Sequence, residues 1–144
     1  EQQSFNELRA IAAETATLTA ARIRDKRAEL TNLWDYTNTK SSTVDPVTIV
    51  DTLAEDFIAN RLQERLPKDV LIGEEGTGTA SISGVTWIVD PIDGTVNFRY
   101  DLPQYAVSIA AAIDGEVLAG AVINVVTGEL YTDARVEGAT KYLP

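Results

Sequence analysis

From Phe5 onward an Ala-rich stretch places Leu8, Ile11, Thr15 and Leu18 at helical spacing, and Ser4-Phe5-Asn6-Glu7 ahead of it has the form of a capping box. The pattern predicts a first helix from about Phe5 to Leu30. Trp34 to Val44 mixes aromatic, polar and small residues, which reads as an extended segment passing into a loop around Lys40-Ser41-Ser42. A second helix is predicted to start between Asp45 and Thr48. Val50, Leu53, Ala54, Phe57, Ile58 and Leu62 give it an apolar stripe, and Pro67 ends it.

Beyond Pro67 the hydrophobic period changes from that of helices to that of strands. Val70-Leu71-Ile72-Gly73 is a short buried-type run, Gly76 to Gly84 is a Gly/Ser/Thr loop, and Val85-Thr86-Trp87-Ile88-Val89 is strongly β-forming. Tyr105 to Ile113 and Glu116 to Val126 flank Asp114-Gly115, a two-residue type I′ hairpin signal. Thr127-Gly128 makes a further turn into Glu129-Leu130-Tyr131-Thr132. Helices followed by hairpin-linked strands predict an α+β layered sandwich, with two N-terminal helices packed on a largely antiparallel sheet.

Composition narrows the chemistry. The 144 residues suit one domain, which on folding buries roughly 68% of the extended chain's surface. Its 44% hydrophobic and 24% charged residues, with 9 Gly and 5 Pro, exclude disordered and collagen-like classes. With no Cys and no His, a disulfide framework, a thiolate nucleophile, a Cys/His zinc site and a Ser-His-Asp triad are all excluded. Catalysis must draw on carboxylates, hydroxyls, amines, backbone amides or a metal. There is no Met, and the sequence begins at Glu1 and stops at Tyr142-Leu143-Pro144, so a trimmed chain is expected.

Twelve basic residues against 22 acidic ones leave a net charge of -10, which argues against nucleic acid and anionic membrane surfaces as partners. No apolar run approaches the roughly 20 residues of a membrane span, and no secretory signal is visible, so a cytoplasmic location is expected. Arg22, Arg24, Lys26 and Arg27 cluster near the end of the first helix, where cations suit the helix dipole. They read as a solvated face, against the alternative of a polyanion site.

Trp87-Ile88-Val89-Asp90-Pro91-Ile92-Asp93-Gly94-Thr95-Val96-Asn97-Phe98 is the most informative stretch. Asp90 is expected at a strand end, Pro91 in a stiff turn, and Asp93 three residues on, so that two carboxylates converge on one point. Hard oxygen ligands at that spacing suit Mg²⁺, although Asp-x-x-Asp is also an ordinary solvated turn. Gly94 would let the backbone approach a ligand closely, and Gly94-Thr95 could open a short helix whose free N–H groups receive an anion.

The pattern Asp-Pro-x-Asp-Gly-Thr-x-Asn-Phe resembles the first signature of the inositol monophosphatase family, within the lithium-sensitive, Mg²⁺-dependent phosphatases. Seven fixed positions put its chance occurrence on the order of 10⁻⁹ per start site. The resemblance runs from Lys40 to about Gly138: Lys40 to Asp51 resembles the family's Lys-Ser segment and second helix, Gly73-Glu74-Glu75 its acidic turn, and Pro103 to Ile109 with the following hairpin its central strands. The resemblance implies Mg²⁺ ligands at Glu74, Asp90, Asp93 and the backbone carbonyl of Ile92, with Glu75 beside them in support. Two Mg²⁺ would set four positive charges against three carboxylates and so reverse the local field for a phosphate. The N–H groups of Gly94 and Thr95 match the family's phosphate contacts.

For water activation the family uses a Thr-Asp pair, which would here be Thr95 and Asp51. Read locally, Thr48-x-x-Asp51 is also a capping box with Asp51 at its third helical position; the family match assigns it to catalysis instead. Lys40, Ser41 and Ser42 belong either to a loop near the metals or to a solvated loop. Family members continue into a second half carrying a Trp-Asp motif with no counterpart here. Residues 1–144 are therefore expected to be the N-terminal metal- and phosphate-binding half, inactive by itself. The implied function is hydrolysis of a small polyol phosphate, inositol monophosphate first, by a lithium-sensitive enzyme that is a homodimer when complete. Fructose 1,6-bisphosphate, a 3′-phosphoadenosine nucleotide and histidinol phosphate are alternative substrates, and a non-catalytic metal-binding or interaction domain is the alternative of another class.

Overall fold

In the computed structural model, which describes residues 4–30, 45–66, 70–72 and 84–144, helix α1 spans Phe5–Glu29 and helix α2 spans Pro46–Arg65. Ser4 Oγ accepts the Glu7 N–H at 3.1 Å, the capping bond the sequence predicts. At α2 the cap is Asp45, whose carboxylate accepts the Val47 N–H at 2.9 Å, with Pro46 in the first turn where its missing N–H costs nothing. The predicted segment Trp34 to Val44 and the loop ahead of Gly84 lie outside the described residues.

Strands β1 (Val70–Ile72), β2 (Val85–Asp93), β3 (Ala106–Ile113), β4 (Glu116–Asn124), β5 (Leu130–Ala134) and β6 (Gly138–Tyr142) form one six-stranded sheet in sequential order. The pairing of β1 with β2 is parallel and every other pairing is antiparallel. Asp114 and Gly115 have φ of 53° and 78°, the double positive φ of the type I′ turn expected between β3 and β4. Asn124 ends β4 by turning its side chain back, where Oδ1 accepts the N–H groups of Val126 and Thr127.

Both helices cover one face of the sheet. Ala12, Ala16 and Ala20 recur every fourth residue along α1 and are fully buried, and across from them the sheet offers Ala111, Ala119, Ala121 and Ala134. Small residues on both sides let the helix lie close to the strands. The buried Thr19 hydroxyl is satisfied within the helix by the Thr15 carbonyl at 2.7 Å. Leu18, expected on the apolar face, is 38% exposed, because the buried stripe runs through Thr15 and Thr19 rather than through Leu18. In α2 the deep positions are Val50, Ala54, Ile58 and Leu62, while Leu53 and Phe57 are half-buried at the edge of the stripe.

The basic cluster is a solvated face only in part: Arg22 and Arg24 are exposed, whereas Lys26 and Arg27 are partly covered. Arg24 donates to the Val125 carbonyl, Arg22 lies 5.0 Å from the centre of the Phe57 ring, and Lys26 pairs with Glu29. Arg27, whose side chain is 15% exposed, stacks 5.2 Å from the Phe98 ring centre and approaches Asp101 at 3.5 Å. Long cationic side chains thus lay their stems over the core and fasten α1 to its neighbours.

The opposite face of the sheet has no helix on it among the described residues. Val122 and Tyr131, paired across β4 and β5, are 40% and 43% exposed there, and Ile88 of β2 is 41% exposed. Among the described residues no helix is long and apolar enough to cross a membrane. The sequence pattern does not announce strand β6, whose residues are all exposed: its turn holds Val136 at φ 67°, a conformation for which a β-branched residue gives no sequence signal.

Candidate active site

Strand β2 does not stop at Asp90 and turn at Pro91, as the dipeptide suggests; it continues to Asp93 through a β-bulge. Asp90 pairs with Ser108 and Asp93 with Ala106, so Pro91 and Ile92 together stand opposite Val107 alone. In a regular strand residues three apart face opposite sides of the sheet. The extra residue cancels that flip. Pro91 and Ile92 both turn into the core, and Asp90 and Asp93 emerge on the same, helix-free face. The bulge also explains how proline sits between paired neighbours, since the locally disrupted ladder does not need its missing N–H. Asp93 is exposed, whereas Oδ1 of Asp90 is shielded from solvent.

Gly94 ends the strand at φ 95° and ψ 47° and caps the five-residue helix α3 (Thr95–Arg99). Its need for glycine is internal. A Cβ there would stand 2.9 Å from the Gln104 carbonyl oxygen, so the close approach is to the protein's own backbone. The same carbonyl accepts a 2.7 Å hydrogen bond from Asn97 Nδ2. Phe98 is fully buried and meets Tyr105 edge-to-face at 5.0 Å. The first bond of α3 runs from the Phe98 N–H to the Gly94 carbonyl at 3.0 Å, so the amides of Thr95, Val96 and Asn97 precede the helical ladder. A cleft of about 270 Å³ opens beside them, lined by Asp93, Gly94, Asn97, Gln104, Tyr105 and Asn124. A larger groove of about 580 Å³ lies on the helix-free sheet face around Val117, Val122 and Tyr131 and reaches Ser108, the cross-strand partner of Asp90.

Asp51 stands six residues into α2, beyond the first turn. The helix is capped by Asp45, so the alternative of Asp51 as a capping-box residue is overturned. Asp45 also pairs with Arg99, the last residue of α3. Burial raises the Asp45 pKa, but the Arg99 hydrogen bond, the Val47 N–H and the Arg99 charge outweigh it and hold the carboxyl below its ordinary value.

The structure therefore brings Asp90, Asp93, Gly94 and Thr95 to one end of β2. Glu74, Glu75, Lys40, Ser41 and Ser42 lie outside the described residues, and among the described residues no three acidic side chains gather about one point. The donors fit a hard divalent cation in type: two carboxylates on one face, one with a shielded oxygen, beside a bulge that frees main-chain groups from the ladder.

A sequence profile described as the inositol monophosphatase family matches residues 5–142. This chain belongs to the inositol monophosphatase family. It is 45% identical over 144 residues to the inositol-1-monophosphatase of Mycobacterium leprae, an alignment covering 92% of the chain and 50% of that relative. Mycobacterium tuberculosis SuhB has the same fold, with a TM-score of 0.80 at 37% identity, over 99% of this chain and 52% of that one. SaIMPase-II, solved with inositol monophosphate bound, superposes with a TM-score of 0.70 at 32% identity, over 94% of this chain and 46% of its own. The chain spans about half the length of the curated relatives it matches. Within this family chain, the signature residues Asn97 and Phe98 serve packing: one ties α3 to the Gln104 carbonyl and the other roots it in the core.

Proposed function

We propose that this chain is the N-terminal half of a Mg²⁺-dependent phosphomonoesterase acting on small polyol phosphates, with inositol monophosphate as the first substrate. The observation that carries the reading is the bulge in β2, which brings Asp90 and Asp93 to one face directly ahead of the Gly94-Thr95 helix start. Asp90, Asp93 and the Ile92 carbonyl would hold the cation with Glu74, and Glu75 would support them. A divalent cation so held supplies positive charge against the phosphate oxygens and makes an attacking water more acidic.

The chain's own residues do the rest. The Gly94 and Thr95 amides donate to the phosphate. The Thr95 hydroxyl donates to the Asp51 carboxylate and accepts from the attacking water, so the proton leaving that water has a path to an anion. With a net charge of -10 on the chain, a phosphate approaches only where carboxylates are neutralised, which confines binding to the cation site. Lithium sensitivity, a homodimeric complete enzyme and a cytoplasmic location belong to the same reading.

The test is phosphate release from inositol 1-phosphate by the complete protein carrying this chain, titrated with Mg²⁺, beside its Asp90→Asn variant. Turnover is expected in the first and is lost in the second, because an amide cannot supply the carboxylate charge. No release by the wild type, or full activity of Asp90→Asn at the wild-type Mg²⁺ requirement, refutes the assignment.

A further inference from the structure

Asp51 and Thr95 stand on different helices, so a hydrogen-bonded pair between them requires α2 and α3 to be held in fixed relation, within about 0.5 Å of the working geometry. Helix α3 has five residues and cannot hold itself in water; its place is set by what its side chains grip. Phe98, Tyr105 and Arg27 fasten it to the head of β3 and to α1. The link toward α2 is made at the far end of α3. Asp45 Oδ1 accepts the Val47 N–H at 2.9 Å and so caps α2, while its other oxygen, Oδ2, binds the Arg99 guanidinium. One carboxylate, placed before α2, thus spans the start of one helix and the end of the other.

We propose that Asp45 and Arg99 are positioning residues for the hydrolytic step: their ion pair sets the distance between Thr95, four residues before Arg99, and Asp51, six residues after Asp45. The inference rests on the phosphatase reading above and adds to it a contact outside the signature. The Arg99 and Asp45 side chains are 40% and 37% exposed, so the pair contributes little to global stability, and its effect on the site is separable from folding. The arrangement also gives the cap residue two separable duties. Asn at position 45 keeps an acceptor oxygen for the Val47 N–H and loses the charge that holds Arg99.

The experiment measures kcat, KM, the Mg²⁺ requirement and the melting temperature of the complete protein on inositol 1-phosphate, for Arg99→Leu, Arg99→Lys and Asp45→Asn. Arg99→Leu and Asp45→Asn are each expected to lower kcat on the order of tenfold, the scale of a small misplacement of a reacting pair. KM, Mg²⁺ requirement and melting temperature stay near wild type, and Arg99→Lys recovers part of the loss. In a Thr95→Ala background Arg99→Leu is expected to cost nothing further, because the group it positions is gone. Unchanged kcat in Arg99→Leu, the same tenfold loss in the Thr95→Ala background, or a loss confined to KM or melting temperature overturns the inference and leaves the phosphatase reading standing. A wild-type protein without phosphatase activity overturns both.

Discussion

Replacing Gly94 by alanine tests whether the turn between β2 and α3 is set by internal packing. Gly94 has φ 95°, and a Cβ on it would meet the Gln104 oxygen at 2.9 Å and Tyr105 Cα at 3.4 Å. Both neighbours are backbone and cannot swing aside. Gly115, at φ 78° in the β3–β4 turn, has nothing within 4 Å of the same position and serves as the control. Left-handed backbone costs an L residue about 1–2 kcal/mol, part of which is offset by the lower entropy of the unfolded alanine chain, so Gly115→Ala is expected to lose about 1 kcal/mol. Gly94→Ala carries the same strain and adds an overpacking cost of about 1–3 kcal/mol, for a total of about 2–4 kcal/mol. That corresponds to a fall in melting temperature of about 5–15 °C for a domain of this size. Urea unfolding followed by far-ultraviolet circular dichroism measures both variants. Equal losses at the two positions would show that the Gln104 carbonyl yields and that the close approach has no structural role.

Three further outcomes are expected. The folded-state pKa of Asp45 lies below its ordinary value of 3.8, so its stabilisation is fully present above the unfolded pKa and is lost as pH falls through the folded one; the small difference in urea midpoint that an exposed pair leaves between wild type and Asp45→Asn should be greatest at neutral pH and vanish below pH 3.8, and a difference that widens in acid would contradict the assignment. Lithium should inhibit inositol 1-phosphate hydrolysis by the complete protein, with insensitivity at high lithium counting against the inositol phosphatase assignment. The 144-residue chain assayed alone should turn over orders of magnitude more slowly than the complete protein, because a two-ion displacement needs both the attacking and the leaving oxygen stabilised; parent-like kcat from the isolated chain would refute the need for a second half.

Local chemistry made much of the fold legible. Ser4 and Glu7 marked the start of α1, Asp114-Gly115 named its turn type, and the alternation of Trp87 and Val89 with Thr86 and Ile88 marked the buried face of β2. What escaped was long-range. Arg27 reads as solvated because helical position predicts exposure only until another element arrives; here Phe98 and Asp101, about 70 residues away in sequence, cover it, and Arg24, though exposed, is tied to the Val125 carbonyl. The Asp45–Arg99 pair is of the same kind, 54 residues apart, and nothing near either residue in the sequence announces it.

The site was harder to read than the fold for a reason that lies in the motif itself. Strict alternation along β2 would put Asp90 and Asp93 on opposite faces and would argue against a shared ligand; the residue between that speaks against regular alternation is Pro91, which a paired strand tolerates only at an edge or a bulge. A proline inside a strong β pattern, with carboxylates on both sides, is thus a signal for a bulge that re-aims the second one. The signature then divides by physical duty. Asp90 and Asp93 are presented outward, whereas Gly94, Asn97 and Phe98 satisfy the backbone and core of the chain that carries them. Matching such a motif therefore identifies a scaffold as much as a chemistry. The chemical claim rests on the two carboxylates and Thr95, and the variants that separate the duties are Asp90→Asn, which leaves the turn intact, and Gly94→Ala, which leaves every carboxylate in place.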